Sequence, residues 1–499
     1  MPDSLAQLDK KYVWHPFTQM REWLRREPIV IAEGRGSILR DTRGREYLDA
    51  NASIWTNLHG HRHPAINKAI QGQLGKVAHS SALGFANEPA SLLAENLARL
   101  ANPTTSAQRG SAARSPKLQK VFFSDDGSTA MEVALKLAYE YARRSGLSPR
   151  PRFLSLEGAY HGDTVGAVSL GHIDLFHKAY SGLLFKSDKV PAPYCYRCKF
   201  NKARPERADA REYRDCKSEC LGLLERAFEK RRRLGLNYAG FVFEPLMQGA
   251  AGMLAQPPGY LNKAASIARG YGAQLIADEV MTGFGRTGIS SESTRDPVPG
   301  VFACQQEKVQ PDFLAVAKGL TGGYVPMAAT LTTQPVFNAF LGEYEDFKTF
   351  FHGHSFTGNQ VGAAAALASL KILESKECTR ARQSIQDTLS AELSRLWELH
   401  AVGDIRQVGL MAGVELVSDW NTRAPFPLEQ RMGIRVCDAM ARRGVLTRPI
   451  GSVIVVMPPY CTTPAQVRKM IRALAESVEE VCGKHAARKA IARSVSGQK

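Results

Sequence analysis

Short, mostly apolar runs recur through the middle of the chain, each followed by a glycine-containing turn and a helical pattern. They cover residues 121–123, 153–156, 241–243, 275–277 and 313–316. Continuous rather than alternating apolar character predicts strands buried on both faces, as in a parallel sheet. Polar residues close every run: Ser124-Asp125-Asp126, Glu157, Glu244, Asp278-Glu279 and Lys318. In an open α/β sheet the ligand crevice lies at the carboxyl ends of the strands, so these residues should converge there. The C-terminal third differs, with helical periodicity over 360–374 and 380–400 and short strands near 411–416 and 453–457. Residues 37–48 read as a hairpin turning at Gly44, expected to pack on that C-terminal part.

The pattern therefore predicts an α/β fold with a large and a smaller α+β domain, and a chain of 499 residues exceeds the usual size of one core. The expected division is an N-terminal segment over 1–72, a large domain over 73–359 with an insertion at about 193–222, a small domain over 360–484 and a disordered tail over 485–499. No stretch approaches the roughly 20 apolar residues of a membrane span, and the N-terminus has no apolar signal core. A cytosolic protein without a membrane partner is expected.

The net charge of +17 raises nucleic acid as a partner, but its distribution argues against that reading. Fourteen of the seventeen charges come from three segments: Arg109, Arg114, Lys117 and Lys120; residues 199–233; and residues 484–499. Solvated loops and a tail are expected there, with no nucleic-acid partner. Five of the nine cysteines are scattered singly, and Cys195, Cys198, Cys216 and Cys220 cluster in the insertion. That CxxC and CxxxC pairing can supply four thiolates to structural zinc. Reduced thiols without metal are the expected state.

Asp278 stands at the mouth of a buried strand, where desolvation works against a carboxylate unless a cation holds it ionised. A protonated pyridine nitrogen or a buried arginine would serve. Forty residues on, Lys318 ends the next run and precedes Gly319 and Thr321-Gly322-Gly323. A confined lysine is costly as an ammonium and suits Schiff-base chemistry; a solvated or ion-paired strand end is the alternative. Between them lies Gly283-Phe284-Gly285-Arg286-Thr287-Gly288.

With these motifs nearly the whole chain resembles the class III pyridoxal-phosphate-dependent aminotransferases. The resemblance implies fold type I, with a mostly parallel seven-stranded sheet in the large domain. It implies pyridoxal 5'-phosphate as cofactor, Lys318 as the catalytic lysine and Asp278 as partner of the pyridine nitrogen. Tyr160 would lie over the cofactor ring, where a core tyrosine is the alternative. Gly127 and Ser128, opening a helix after Asp126, would hold the phosphate, where an ordinary helix cap is the alternative. Glu244-Pro245 would help shape the site or form a turn. The loop with Gly353, His354 and Ser355 would reach the partner's cofactor phosphate across an obligate homodimer, Gly353 also lying toward substrate.

Within that family, residues 13–20 (VWHPFTQM), Ser53-Ile54-Trp55, Phe356-Thr357-Gly358-Asn359, Thr447-Arg448-Pro449 and Met457-Pro458-Pro459-Tyr460 resemble the branch that aminates 8-amino-7-oxononanoate in biotin biosynthesis. Arg448 would clamp that substrate's distal carboxylate, with Phe17, Trp55 and Tyr160 along its apolar chain. A surface ion pair for Arg448 and core packing for Phe17 and Trp55 are the alternatives. Phe17 stands where some relatives carry tyrosine, and Ile54 where some carry a second tryptophan. S-adenosylmethionine is the expected amino donor and lysine the alternative, in a ping-pong reaction. An ornithine, 4-aminobutyrate or β-alanine aminotransferase is the rival reading.

Overall fold

The computed structural model describes residues 4–103, 117–289 and 300–483. The expected strands are present, with Ile31–Arg35 (β1), Ile38–Asp41 (β2) and Glu46–Asp49 (β3) leading the chain. Leu118–Ser124 (β4), Phe153–Leu156 (β5), Asp188–Val190 (β6), Gly240–Phe243 (β7), Gln274–Asp278 (β8), Phe313–Val316 (β9) and Ala328–Thr333 (β10) follow. These last seven form one sheet in the order β4-β10-β9-β8-β7-β5-β6. Only β10 runs against its two neighbours. The other pairs are parallel, with Asp278 in register with Ala315 and Ala277 with Phe243.

Every residue of β5, β7 and β9 is buried, as their continuous apolar character requires. Helix α1, Gly127–Arg144, covers one face and buries Met131, Val133, Ala134, Leu137 and Ala138. Its start is fixed by a reciprocal cap: Asp126 accepts from the Thr129 N–H at 2.9 Å, and the Thr129 hydroxyl oxygen accepts from the Asp126 N–H.

The C-terminal part contains Val402–Val408 (β11), Met411–Asp419 (β12), Val445–Leu446 (β13), Pro449–Ile450 (β14) and Val453–Val456 (β15). Strands β11-β12-β15-β14 make an antiparallel sheet. The N-terminal hairpin joins this region, because β3 pairs in parallel with β13. Arg286 ties the ends of the chain to the centre. Fully buried, it donates to the carbonyls of Asn57 and Pro458, each at 2.8 Å.

The charged insertion departs from the expectation of solvated loops. Arg207 donates to the carbonyls of Val402 and Leu399, at 2.6 and 2.5 Å, and Arg211 donates to Gln407 O at 2.8 Å. Arg197 donates to Glu415 Oε1 at 2.7 Å. Residues Glu219–Arg233 form a helix in which Arg231 is buried and donates to the carbonyls of Asn237 and Arg150. Carbonyl and carboxylate oxygens at strand ends and turns attract guanidinium forks, so Arg197, Arg207 and Arg211 dock the insertion onto β11, β12 and the turn before β11. Arg109 and Arg114, and the basic residues of 484–499, lie outside the described residues.

Cys195 is buried, and Cys198, Cys216 and Cys220 are partly so; all four line one small cavity of about 50 Å³. Burial pushes the Cys195 thiol up to about 12 and that of Cys220 to about 11. Among the described residues no group of three or more Cys, His, Asp or Glu side chains is placed to hold a metal ion.

Candidate active site

Asp278, Glu244 and Lys318 follow adjacent parallel strands and meet at one edge of the sheet. They line a cavity of about 1090 Å³ together with Phe17, Trp55, Gly127, Ser128, Tyr160 and Arg448. Another cavity, of about 750 Å³, lies beside Tyr139, Phe340 and Phe350. The convergence of an amine, two carboxylates and a helix start selects the first as the chemical site.

Lys318 is half-buried at this edge, and desolvation pulls its ammonium below the usual lysine range despite the facing carboxylates of Asp278 and Glu244. Its backbone takes a left-handed φ of +41°, a conformation ordinary residues adopt under constraint and one that recurs at functional sites. The constraint comes from the neighbouring glycines. A Cβ at Gly323 would come within 2.8 Å of the Asn57 backbone, and one at Gly319 within 3.1 Å of Leu58. Glycine there lets the N-terminal segment press against the lysine loop, and the Trp55 ring centre stands 4.6 Å from Lys318 Nζ.

Asp278 is buried beside His161, whose Nδ1 lies 2.8 Å from Asp278 Oδ2; the other oxygen accepts from the Val280 N–H at 3.0 Å. Among the described residues no arginine pairs with Asp278, the alternative that the sequence left open. His161 follows Tyr160 directly in the sequence, yet nothing in the spacing marked it as a partner for Asp278. The other neighbour, Glu244, is pushed up to about 7 by burial and accepts from the N–H groups of Gly249 and Tyr160.

Tyr160 lines the cavity and its hydroxyl donates to Asp163 at 2.6 Å; burial raises its pKa further above the usual phenol range. Phe176, not singled out from sequence, packs edge-on against both Tyr160 and Phe17, with ring centres 6.2 and 5.3 Å away. Phe17 is 60% exposed and Arg448 is also exposed, so neither is packed in a core. Among the described residues Arg448 has no hydrogen bond or ion pair. Gly353, His354 and Ser355 do not line the cavity; His354 Nδ1 lies 3.3 Å from Asp125 at its margin.

The residues fit pyridoxal phosphate. A Cβ on Gly127 would come within 2.7 Å of Val280, so the first turn of α1 lies close against the segment after β8, and Gly127 and Ser128 line the cavity at a helix start, where backbone N–H groups suit an anion. The buried His161 Nε2 has no hydrogen-bond partner among the described residues. A lysine of lowered pKa and a carboxylate stand on neighbouring strands, as an imine-forming aldehyde with a ring nitrogen requires.

The sequence profile described as aminotransferase class-III matches residues 20–478. The chain belongs to this family. It is 45% identical over 487 residues to adenosylmethionine-8-amino-7-oxononanoate aminotransferase of Geobacter sulfurreducens, covering 97% of this chain and all of the relative. The enzyme of the same name from Aquifex aeolicus is 42% identical, over 96% of this chain and 98% of its own length. Among solved structures, that enzyme from Methanocaldococcus jannaschii superposes with a TM-score of 0.84 at 38% identity, covering 95% of this chain and 98% of the other. A PLP-bound amine transaminase from an uncultivated Pseudomonas species superposes at 0.81 with 32% identity, over 94% and 99% of the two chains. The chain is accordingly an aminotransferase of the α/β class that uses pyridoxal phosphate. Among the described residues no helix is long and apolar enough to cross a membrane.

Proposed function

We propose that the protein aminates 8-amino-7-oxononanoate to 7,8-diaminononanoate, with S-adenosylmethionine as donor, in biotin biosynthesis. One observation carries the reading: a single cavity joins the Lys318–Asp278 pair to an aromatic wall of Phe17, Trp55 and Tyr160 and to an arginine, Arg448, that has no ion pair among the described residues. A long apolar substrate with a carboxylate at its far end matches that lining. The names of the relatives support the same substrate.

Pyridoxal phosphate supplies the electron sink that makes the proton on the amine-bearing carbon removable. Lys318 Nζ takes that proton and returns it, acting as base and then acid; burial favours the neutral amine that the first role needs. Asp278 would keep the ring nitrogen charged, with His161 fixing the carboxylate. Gly127 and Ser128 would hold the phosphate, and Tyr160 would help hold the ring. Arg448 orients the acceptor by its carboxylate.

In the same reading residues 73–359 form the cofactor-binding domain and 360–484 the small domain. The protein acts in the cytoplasm as a homodimer, with Gly353, His354 and Ser355 contributed to the partner's site.

Purified enzyme incubated with 8-amino-7-oxononanoate and either S-adenosylmethionine or lysine tests the proposal. Diaminononanoate formed with S-adenosylmethionine is the expected outcome. Turnover of ornithine, 4-aminobutyrate or β-alanine in its place would assign the rival specificity. Borohydride reduction followed by peptide mapping should mark Lys318, and a label on another lysine would refute its role.

A further inference from the structure

Residues 52–55 run left-handed, with φ of +44° at Ala52, +48° at Ser53, +62° at Ile54 and +69° at Trp55. None is glycine, and each side chain opposes this conformation. Such a run persists only where surrounding contacts over-determine it. The Trp55 N–H donates to Asn51 O and the Asn57 N–H to Ala52 O, at 2.9 and 3.0 Å, and one buried carboxylate supplies further contacts. Asp49, at the end of β3, accepts from the N–H groups of Asn51 and Ser53, at 3.3 and 3.0 Å, and from the Ser53 hydroxyl at 2.8 Å. Its Oδ2 also lies 3.1 Å from His61 Nε2. His61 is held in turn, with Nδ1 3.0 Å from Asn57 Nδ2, and Asn57 Oδ1 accepts from the Gly60 N–H at 2.7 Å. Burial raises the Asp49 pKa, but the His61 and Ser53 hydrogen bonds outweigh it and the net shift is downward.

The turn ends in Trp55, whose ring covers Lys318 Nζ and packs against a cluster that includes Met247, Met253, Met281, Met411 and Met457. Ile54, inside the turn, lines the cavity, whereas Asp49 and Ser53 do not. We propose that Asp49 is a positioning residue that locks 52–55 in the left-handed form and thereby aims Trp55 at Lys318 and Ile54 at the substrate. The kinetic part of this proposal rests on the aminotransfer reading given above; the conformational part does not.

Three substitutions separate the roles. Asp49→Asn keeps the volume and removes the charge, Ser53→Ala removes one donor, and Ser53→Gly removes the Cβ that opposes the left-handed backbone. Asp49→Asn should lower kcat/KM for the keto acceptor at least tenfold, chiefly through KM. Adding Ser53→Gly should recover at least half of that loss on a logarithmic scale. In cofactor-free protein labelled with 5-fluorotryptophan, the Trp55 resonance, assigned by its disappearance in Trp55→Phe, should shift in Asp49→Asn and return in the double variant. A Trp55 resonance unmoved by Asp49→Asn, or a double variant indistinguishable from Asp49→Asn in both measurements, would overturn the proposal. Should the parent fail to aminate the acceptor while the resonance follows the expected pattern, the substrate assignment fails and the positioning role stands. Should Asp49→Asn not fold, Ser53→Gly must exceed Ser53→Ala in kcat/KM and hold the Trp55 resonance closer to its parent position; equality of the two in both would overturn the proposal.

Discussion

Arg448 lies on the cavity wall with its guanidinium fork unengaged among the described residues, so its contribution should emerge only when a carboxylate arrives. A charge-assisted hydrogen bond contributes roughly 1.5–3 kcal/mol, and Arg448→Ala should therefore lower kcat/KM for the keto acceptor about 10- to 100-fold. Arg448→Lys should recover part of this, because an ammonium keeps the charge but lacks the fork. Single-turnover absorbance of the bound cofactor checks it: the acceptor half-reaction should slow much more than the donor half-reaction. Glu279 offers a second, independent test. Buried beneath the site, it accepts from the N–H groups of Ala303 and Cys304 at 2.7 and 2.9 Å, and burial outweighs these bonds, pushing its pKa up from 4.5 to about 7. The folded chain thus prefers the protonated carboxyl, a contribution fully present below pH 4.5 and lost as pH rises through about 7. Glu279→Gln cannot ionise, so the Tm of this variant relative to the parent should climb across that window. A difference that stays flat from pH 4.5 to 7.5 would contradict the assignment.

At the scale of elements, the large sheet was legible because its central strands are apolar along their whole length and end in polar residues. Asp278 and Lys318 stood out at those ends, and the resemblance to the family supplied their expected roles. The partner of Asp278 could not, since His161 reaches it from 117 residues away in sequence and only the parallel pairing of β5, β7 and β8 brings them together. The left-handed turn at 52–55 was equally hidden, because no glycine or asparagine there announces a positive φ. The insertion was misjudged for another reason: charge density marks a solvated loop unless free carbonyls lie within reach, and sequence does not disclose where β11 leaves them. Its docking yields a prediction. Arg207 bonds two carbonyls and stacks on Trp420, with its guanidinium carbon 4.8 Å from the ring centre. Removing it by Arg207→Ala should loosen residues 199–218 locally, and where cleavage follows such opening each ~1.4 kcal/mol gives about tenfold faster proteolysis. Limited trypsin digestion with mass mapping should show accelerated cuts at Lys199, Lys202 or Lys217 while kcat stays within about twofold; unchanged cleavage would mean that the docking adds no local stability.

For the whole molecule, the decisive question is whether one chain completes its own site. Leu83, Phe85, Phe351 and Phe356 are 60–88% exposed, and the two segments that carry them are tied together, with His79 Nε2 2.9 Å from Ser355 O and Asn359 donating to Ala78 O. So much exposed apolar surface is unusual on a monomer and fits an isologous contact between two copies. In such a dimer His354 and Ser355 of one protomer would serve the phosphate site of the other, and the arrangement can be tested by complementation. Lys318→Ala destroys the site in its own chain, and Ser355→Glu, by charge repulsion of the phosphate, destroys the partner's. Each homodimer should be inactive. In a mixed dimer one site carries both lesions and the other carries neither, so random reassembly of equal amounts should restore about one quarter of the parent activity per protomer. If Ser355 instead served its own chain, each site of the mixed dimer would carry one lesion and no activity would return. Light scattering on the parent and the mixture fixes the stoichiometry. A monomer, or a mixed dimer without recovered activity, would return Gly353, His354 and Ser355 to a role within their own chain.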